Sequence, residues 1–280
     1  MFSKNKTKKE MKKTVIKILC NLFPNQIVNF AYNQLTNPQI KKLRENELEI
    51  LNQAEKEILK FKNFDVQLYK WQGGTNSILL IHGWEGQAGN FSDIIQELIK
   101  ENYTIFAFDA PSHGFSSKGR TSLFDFTELV GILIERFKVK HLISHSFGGV
   151  ATTYALFNNQ NLTIEKYVLL TTPDMFSERI DDVSQRVGIT EKVKNKLIKR
   201  LEKEIPFKIQ DLNVSNFVKV IKVEKSLIIH DKNDKIIPIQ RSKNVANNWK
   251  NCEFMEVEGT GHMKILRTNF VIKKILFFLK

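Results

Sequence analysis

The sequence predicts an α/β fold: a mostly parallel sheet wound with helices on both faces, preceded by a helical extension and interrupted by a helical insert. Three observations predict it. From Ser77 onward, short runs that are apolar throughout alternate with longer segments of helical periodicity, the pattern of strands covered on both sides. The alternation stops over residues 172–225, where charged helical sequence such as residues 191–204 takes over, and it resumes at Ser226. Polar clusters directly follow five of the apolar runs, and that edge of a parallel sheet is where ligands bind.

Residues 14–35 have helical spacing. Val15, Ile16, Ile18, Leu19, Leu22 and Phe23 form one stripe, Pro24 interrupts it, and Ile27, Val28, Ala31 and Leu35 form a second. Both stripes are expected to pack inward, as such stripes do in most soluble proteins. Residues 39–61, rich in Glu, Lys, Leu and Ile, read as a polar helix. Residues 64–71 alternate like a strand and meet a Gly73-Gly74 turn. Strands are then expected at 77–81, 103–108, 139–143 and 166–170, with helices at 90–100, 122–137 and 147–157 between them. After the insert come a strand at 226–229, a helix at 239–249, a strand at 253–257 and a final helix at 268–279. The expected domains are an N-terminal basic tail and helical extension (1–62), a first core part (63–171), a helical cap (172–225) and a second core part (226–280).

Composition narrows the function classes. The net charge of +13 invites nucleic acid or membrane as a partner. Six lysines between Lys4 and Lys13 supply part of the excess, and the rest is scattered, without a basic stripe interleaved with aromatics. No nucleic-acid partner is therefore expected. The N-terminal helices leave a peripheral membrane contact as a secondary reading. No run of about 18 apolar residues exists to span a bilayer. Cys20 and Cys252 stand outside any C-x-x-C pair, which predicts free thiols and a reducing, cytoplasmic setting. The six histidines lack a metal-ligand spacing, so neither a metal nor another cofactor is expected.

The five strand-end clusters are residues 82–86 (HGWEG), 109–114 (DAPSHG), 144–146 (SHS), 230–234 (HDKND) and 258–262 (EGTGH). A serine needs a base to take its proton, and histidine suits that task because it titrates near neutrality. A carboxylate can then hold the imidazole in one tautomer and stabilise the imidazolium. Ser146, an aspartate of the 230–234 cluster and His262 follow one another in that chain order. The stretch ISHSFGG (143–149) offers two serines. At a strand-to-helix elbow the residues two before and two after the nucleophile must be small. Ser144 and Gly148 satisfy this for Ser146, whereas Leu142 excludes Ser144. Both Asp231 and Asp234 remain candidates for the acid on residue type alone.

With these residues in place the chain resembles an α/β-hydrolase with a helical cap, from about Phe64 to the C-terminus. HGWEG resembles that family's oxyanion loop, FDAPSHGFS (108–116) its D-x-P-x-H-G-x-S loop, HDKNDKIIP (230–238) its acid loop and GTGH (259–262) its histidine loop. More narrowly, the motifs are similar to those of bacterial α/β-hydrolases of undefined substrate that also begin with a helical extension. The resemblance implies Asp234 as the acid, leaving Asp231 a surface or loop-capping group. It implies the backbone N–H groups of Trp84 and Phe147 as an oxyanion hole, with the Trp84 side chain walling the pocket. It also implies substrate contacts at His82, Gly83, Glu85 and His145, with Glu85 alternatively holding its loop. Asp109 and His113 are expected to order their own loop. The expected activity is cleavage of a small acyl ester or thioester through an acyl-serine, without cofactor. Amidase, peptidase and carbon–carbon hydrolase activities, and a binding protein of the same fold without catalysis, are the alternatives.

Overall fold

The computed structural model describes residues 2–204 and 208–280. The side chains of residues 1–9, where the basic tail begins, and of Arg179, Arg186 and Glu204 lie outside the described residues, as do residues 205–207 of the expected cap. The chain divides into two compact units, one of residues 1–37 with 175–213, the other of residues 38–174 with 214–280.

In the first unit, α1 (Phe2–Leu22) and α2 (Pro24–Thr36) accompany α7 (Phe176–Val187) and α8 (Glu191–Leu201). Pro24 opens α2 at its first position, where a missing N–H costs nothing, and so separates α1 from α2. Cys20, Val28, Ala31, Tyr32, Val193 and Leu197 form the unit's core. The Arg200 guanidinium lies over the buried Tyr32 ring, 3.9 Å from its centroid. The N-terminal helices up to Asn37 thus group with residues 175–213, most of the segment expected to be a cap. The first stripe differs from the expectation. Ile16 packs against the core, but Val15, Ile18, Leu22 and Phe23 are all about half exposed or more. Apolar residues occur on two sides of α1, and only the side carrying Ile16 and Cys20 meets α2 and α8.

The second unit begins with α3 (Glu45–Asn52) and then holds an eight-stranded sheet. Its strands are β1 (Glu55–Phe61), β2 (Phe64–Trp71), β3 (Ser77–Ile81), β4 (Thr104–Phe108), β5 (His141–His145), β6 (Thr163–Leu170), β7 (Lys222–Asp231) and β8 (Cys252–Val257). The order is β1-β2-β4-β3-β5-β6-β7-β8. β1, β2 and β4 pair antiparallel, and every pair from β4 to β8 is parallel. β4 and β5 are buried at every position, as strands covered on both faces must be. One face packs Ile78, Leu80, Ile105, Ile143 and Ile229 against α4 (Ser92–Lys100) and α12 (Asn269–Leu279). The remaining helices are α5 (Leu123–Phe137), α6 (Phe147–Asn158), α9 (Val214–Phe217), α10 (Ile239–Asn247) and α11 (Gly261–Lys264). Ser122 and Asp125 form a capping box that starts α5.

The polar helix expected over 39–61 is a shorter helix followed by an edge strand. The Glu, Lys, Ile and Leu of residues 55–61 suit a helix by propensity, but each pairs in register with a residue of β2, and the pairing decides. Phe61 pairs with Phe64, with Lys62 between them in the left-handed region at φ 50°. The charged side chains of β1 point to water and keep this free edge from pairing further.

Candidate active site

Ser146 sits between β5 and α6 at φ 54° and ψ −121°, a conformation that costs a side-chain-bearing residue on the order of 1–3 kcal/mol. Several neighbours hold it there. Its N–H donates to the Leu170 carbonyl on β6 at 2.9 Å. A Cβ on Gly148 would stand 2.5 Å from the His82 carbonyl oxygen and 2.6 Å from that of Ile81, so only glycine lets α6 approach β3 this closely. Ser144 is fully buried and its hydroxyl pairs with the Tyr167 hydroxyl at 2.7 Å. It stands where a glycine is usual, and Tyr167 accounts for its polar atom.

Around Ser146 the strand ends bring two further groups. Asp234 Oδ2 accepts a hydrogen bond from His262 Nδ1 at 2.8 Å, and His262 Nε2 accepts one from Ser146 Oγ at 3.1 Å. The carboxylate can only accept, so it fixes the proton on Nδ1 and leaves the Nε2 lone pair facing the serine. The Asp234 side chain has no exposed surface. Burial alone would raise its pKa, but hydrogen bonds from His230 and His262 and from the Ile236 N–H overcome that and hold it well below the usual carboxylate range. His230 is itself anchored by the Ser242 hydroxyl at 2.7 Å and the Ile237 carbonyl at 3.0 Å.

Asp231, three residues before Asp234, is fully buried and not at the surface. Its Oδ2 accepts from the Thr260 N–H at 2.5 Å, the Thr260 hydroxyl at 3.0 Å and the Gly261 N–H at 2.7 Å, and its Oδ1 from the Asn233 N–H at 2.7 Å. Burial pushes its pKa up, and these four donors more than reverse the effect. The two aspartates thus divide the loop: one meets the imidazole, and the other ties down the segment that carries His262.

The HGWEG loop is held by similar means. Asp109, fully buried, accepts from the Ala88 N–H at 2.8 Å, the Phe115 N–H at 2.8 Å and the Tyr69 hydroxyl at 2.9 Å. Gly114, at φ 43°, passes so close to that carboxylate that a Cβ would lie 2.2 Å from it. His113 Nε2 accepts from the Glu85 N–H at 3.2 Å, and burial pushes the His113 pKa well down, which keeps it neutral for this role. Asp109 and His113 therefore order two loops and not only their own. The Trp84 and Phe147 rings meet edge to face, their centroids 5.2 Å apart.

His82 and His145, both expected to contact substrate, are buried. His82 is 1% exposed, its Nδ1 donates to the Gly83 carbonyl at 2.7 Å and its Nε2 accepts from the Ala110 N–H at 3.0 Å, so no ring nitrogen remains for a ligand. His145 Nε2 donates to the His262 carbonyl at 2.8 Å, and burial pushes the His145 pKa down to about 3. It is a neutral prop beneath His262. Gly83 is buried against the elbow, where a Cβ would lie 3.1 Å from the His145 carbonyl oxygen and 3.2 Å from Ser146 Cβ. Glu85 is exposed at φ 60°, and its carboxylate accepts from the Gln39 N–H at 3.3 Å. Tyr69, Tyr167 and Ser242 are supporting residues that the sequence does not single out, since each lies inside a regular element with no motif around it.

Among the described residues no three His, Cys, Asp or Glu side chains gather so as to hold a metal ion, and no helix is long and apolar enough to cross a membrane. Cys20 and Cys252 are free.

Residues 78–201 match the model of the alpha/beta hydrolase family. An uncharacterized hydrolase of Bacillus subtilis, YugF, is 32% identical over 102 residues, which is 35% of this chain and 37% of that protein; the chain thus spans little more than a third of the curated relative it matches. Among solved structures, esterase Pf2001 of Pyrococcus furiosus superposes with a TM-score of 0.61 at 17% identity, covering 88% of this chain and 97% of that one. The thioesterase domain from the curacin biosynthetic pathway superposes with a TM-score of 0.60 at 15% identity, covering 80% and 99%. The sheet order and the superposed structures together show that the chain has the α/β-hydrolase fold.

Proposed function

We propose that this protein is a serine hydrolase that cleaves a carboxylic ester or thioester through an acyl-enzyme on Ser146. The observation that carries this is the unbroken hydrogen-bonded line from Asp234 through His262 to Ser146, at 2.8 and 3.1 Å, ending on a serine held in a strained turn. His262 Nε2 takes the proton of Ser146 Oγ as the oxygen attacks the acyl carbon, and Asp234 stabilises the resulting imidazolium. The Phe147 N–H, at the start of α6, and the Trp84 N–H are the oxyanion donors. Each such donor is worth on the order of 3 kcal/mol in the transition state. His262 then returns its proton to the leaving alkoxide or thiolate. Water, activated by the same imidazole, next attacks the acyl carbon and releases the acid and the free serine.

Names among the fold relatives, an esterase and a thioesterase, favour esters and thioesters over amides. The test is a series of p-nitrophenyl esters, acyl thioesters and acyl anilides of graded chain length, assayed by stopped flow with wild type and Ser146→Ala. The expected result is turnover of an ester or thioester with a pre-steady-state burst, absent in Ser146→Ala. Turnover by Ser146→Ala at the wild-type rate, or cleavage of the anilides alone, overturns the proposal.

A further inference from the structure

Helix α1 is apolar on two sides, and only one of them is used by the fold. Ile16 and Cys20 face the core that α2 and α8 complete. Met11, Val15, Ile18 and Leu22, spaced four, three and four apart, line a different face and are 63%, 51%, 52% and 64% exposed. Phe23, at the joint with α2, and Phe30, on α2 itself, are also 48% and 63% exposed. The outward face of a helix that merely covers a core is polar.

The charge around this face is one-sided. Residues 1–22 contain seven lysines and one glutamate, so they hold six of the thirteen excess positive charges of the whole chain. Lys12 and Lys17 are exposed, while Glu10 pairs with Lys13 at 3.6 Å. A second copy docked on this face would bring two lysine-rich helices together, and nucleic acid would leave the apolar residues bare. A layer with anionic groups outside and hydrocarbon beneath satisfies both features at once.

We propose that α1 is a docking face for an anionic phospholipid surface, lying in the plane of the interface with Met11, Val15, Ile18 and Leu22 dipping below the headgroups and its lysines meeting lipid phosphates. The inference is independent of the chemistry at Ser146. It also reverses the expectation that this stripe packs inward.

The full-length protein is floated with vesicles of phosphatidylcholine containing roughly a third phosphatidylglycerol, and with vesicles of phosphatidylcholine alone, at low and at near-molar salt. Expected is binding to the anionic vesicles that weakens as salt screens the lysines, and a loss of at least about tenfold in partitioning for the triple variant Val15→Gln, Ile18→Gln, Leu22→Gln. The pair Lys12→Glu, Lys17→Glu should weaken binding at low salt and leave little salt dependence. These side chains are exposed, so an unchanged melting temperature in each variant certifies the fold. The proposal is overturned if wild type stays unbound at low salt, or if the triple variant binds as wild type does. It is equally overturned if light scattering finds a dimer that the triple variant abolishes while vesicles bind neither protein, because the face then belongs to a second copy.

Discussion

The sheet edge around Ser146 and the outward face of α1 handle their polar and apolar atoms in opposite ways. At the sheet edge, each polar group that bears on Ser146 has its partner on another element. Asp109 joins β2 to two loops, Asp231 joins β7 to the His262 segment, and Gly148 brings α6 against β3. Strain at Ser146 persists because so many contacts determine it at once. On the outward face of α1, four apolar side chains lie mostly in water. The fold buries little of that face, so changes there are expected to be nearly silent in stability and catalysis. Small changes at the sheet edge are expected to be severe.

The largest effect that sharpens this contrast is at Asp234. Replacement by Asn keeps the shape but lets the amide donate, which favours the wrong tautomer of His262. Turnover of the best ester should fall by roughly four orders of magnitude, measured as kcat by stopped flow. The next is Asp231→Asn, which replaces a carboxylate that accepts four hydrogen bonds. A loosened histidine segment should lower kcat by about ten- to a hundredfold and the melting temperature by a few degrees, while ester KM changes little. If Asp231→Asn costs more than Asp234→Asn, the assignment of the two aspartates is reversed.

A smaller effect is expected in the pH dependence of stability. The folded state holds His145 at about 3 against 6.5 unfolded, so below pH 6.5 the unfolded chain takes up the proton first. Stability contributed by neutral His145 is therefore complete above pH 6.5 and is lost as pH falls toward 3, at up to about 1.4 kcal/mol per pH unit. His82 and His113, whose pKa values burial also lowers, act in the same direction. Asp234 works in a lower window: its folded pKa is depressed, so its contribution is complete above about pH 4 and fades below it. Urea titrations from pH 7.5 to 4 should show this loss, with a shallower slope in His145→Gln. A slope unchanged by His145→Gln contradicts the assignment of a neutral prop. The smallest effect is the triple glutamine variant of α1, which should leave ester kcat and the melting temperature near wild type. A drop of many degrees would mean that the face is part of the core.

The same contrast explains what the sequence reveals. Strands β3 to β6 and the order of the loops at their ends are legible because a strand buried on both faces must be apolar throughout, and because chemistry confines serine, aspartate and histidine to strand ends. Small residues around Ser146 are legible for steric reasons. Edge strand β1 is not, because its residues carry a helical composition and only the partner β2 makes them a strand. The inward face of α1 is hidden because its apolar residues are spread round the helix, and periodicity alone does not say which of two stripes finds a partner. Roles for His82 and His145 are hard to read from sequence for a related reason. A histidine beside a nucleophile looks like a ligand contact until the carbonyl or N–H that occupies its ring nitrogens is known.

In the proposed mechanism Ser146 is a nucleophile activated by His262 and Asp234. Reaction of the full-length protein with a fluorophosphonate, followed by intact mass and peptide mapping, tests it most directly. One adduct, mapped to Ser146, formed slowly or not at all in Asp234→Asn and absent in Ser146→Ala, is the predicted result. An unlabelled wild type, or an adduct on Ser144 that survives Ser146→Ala, would contradict it.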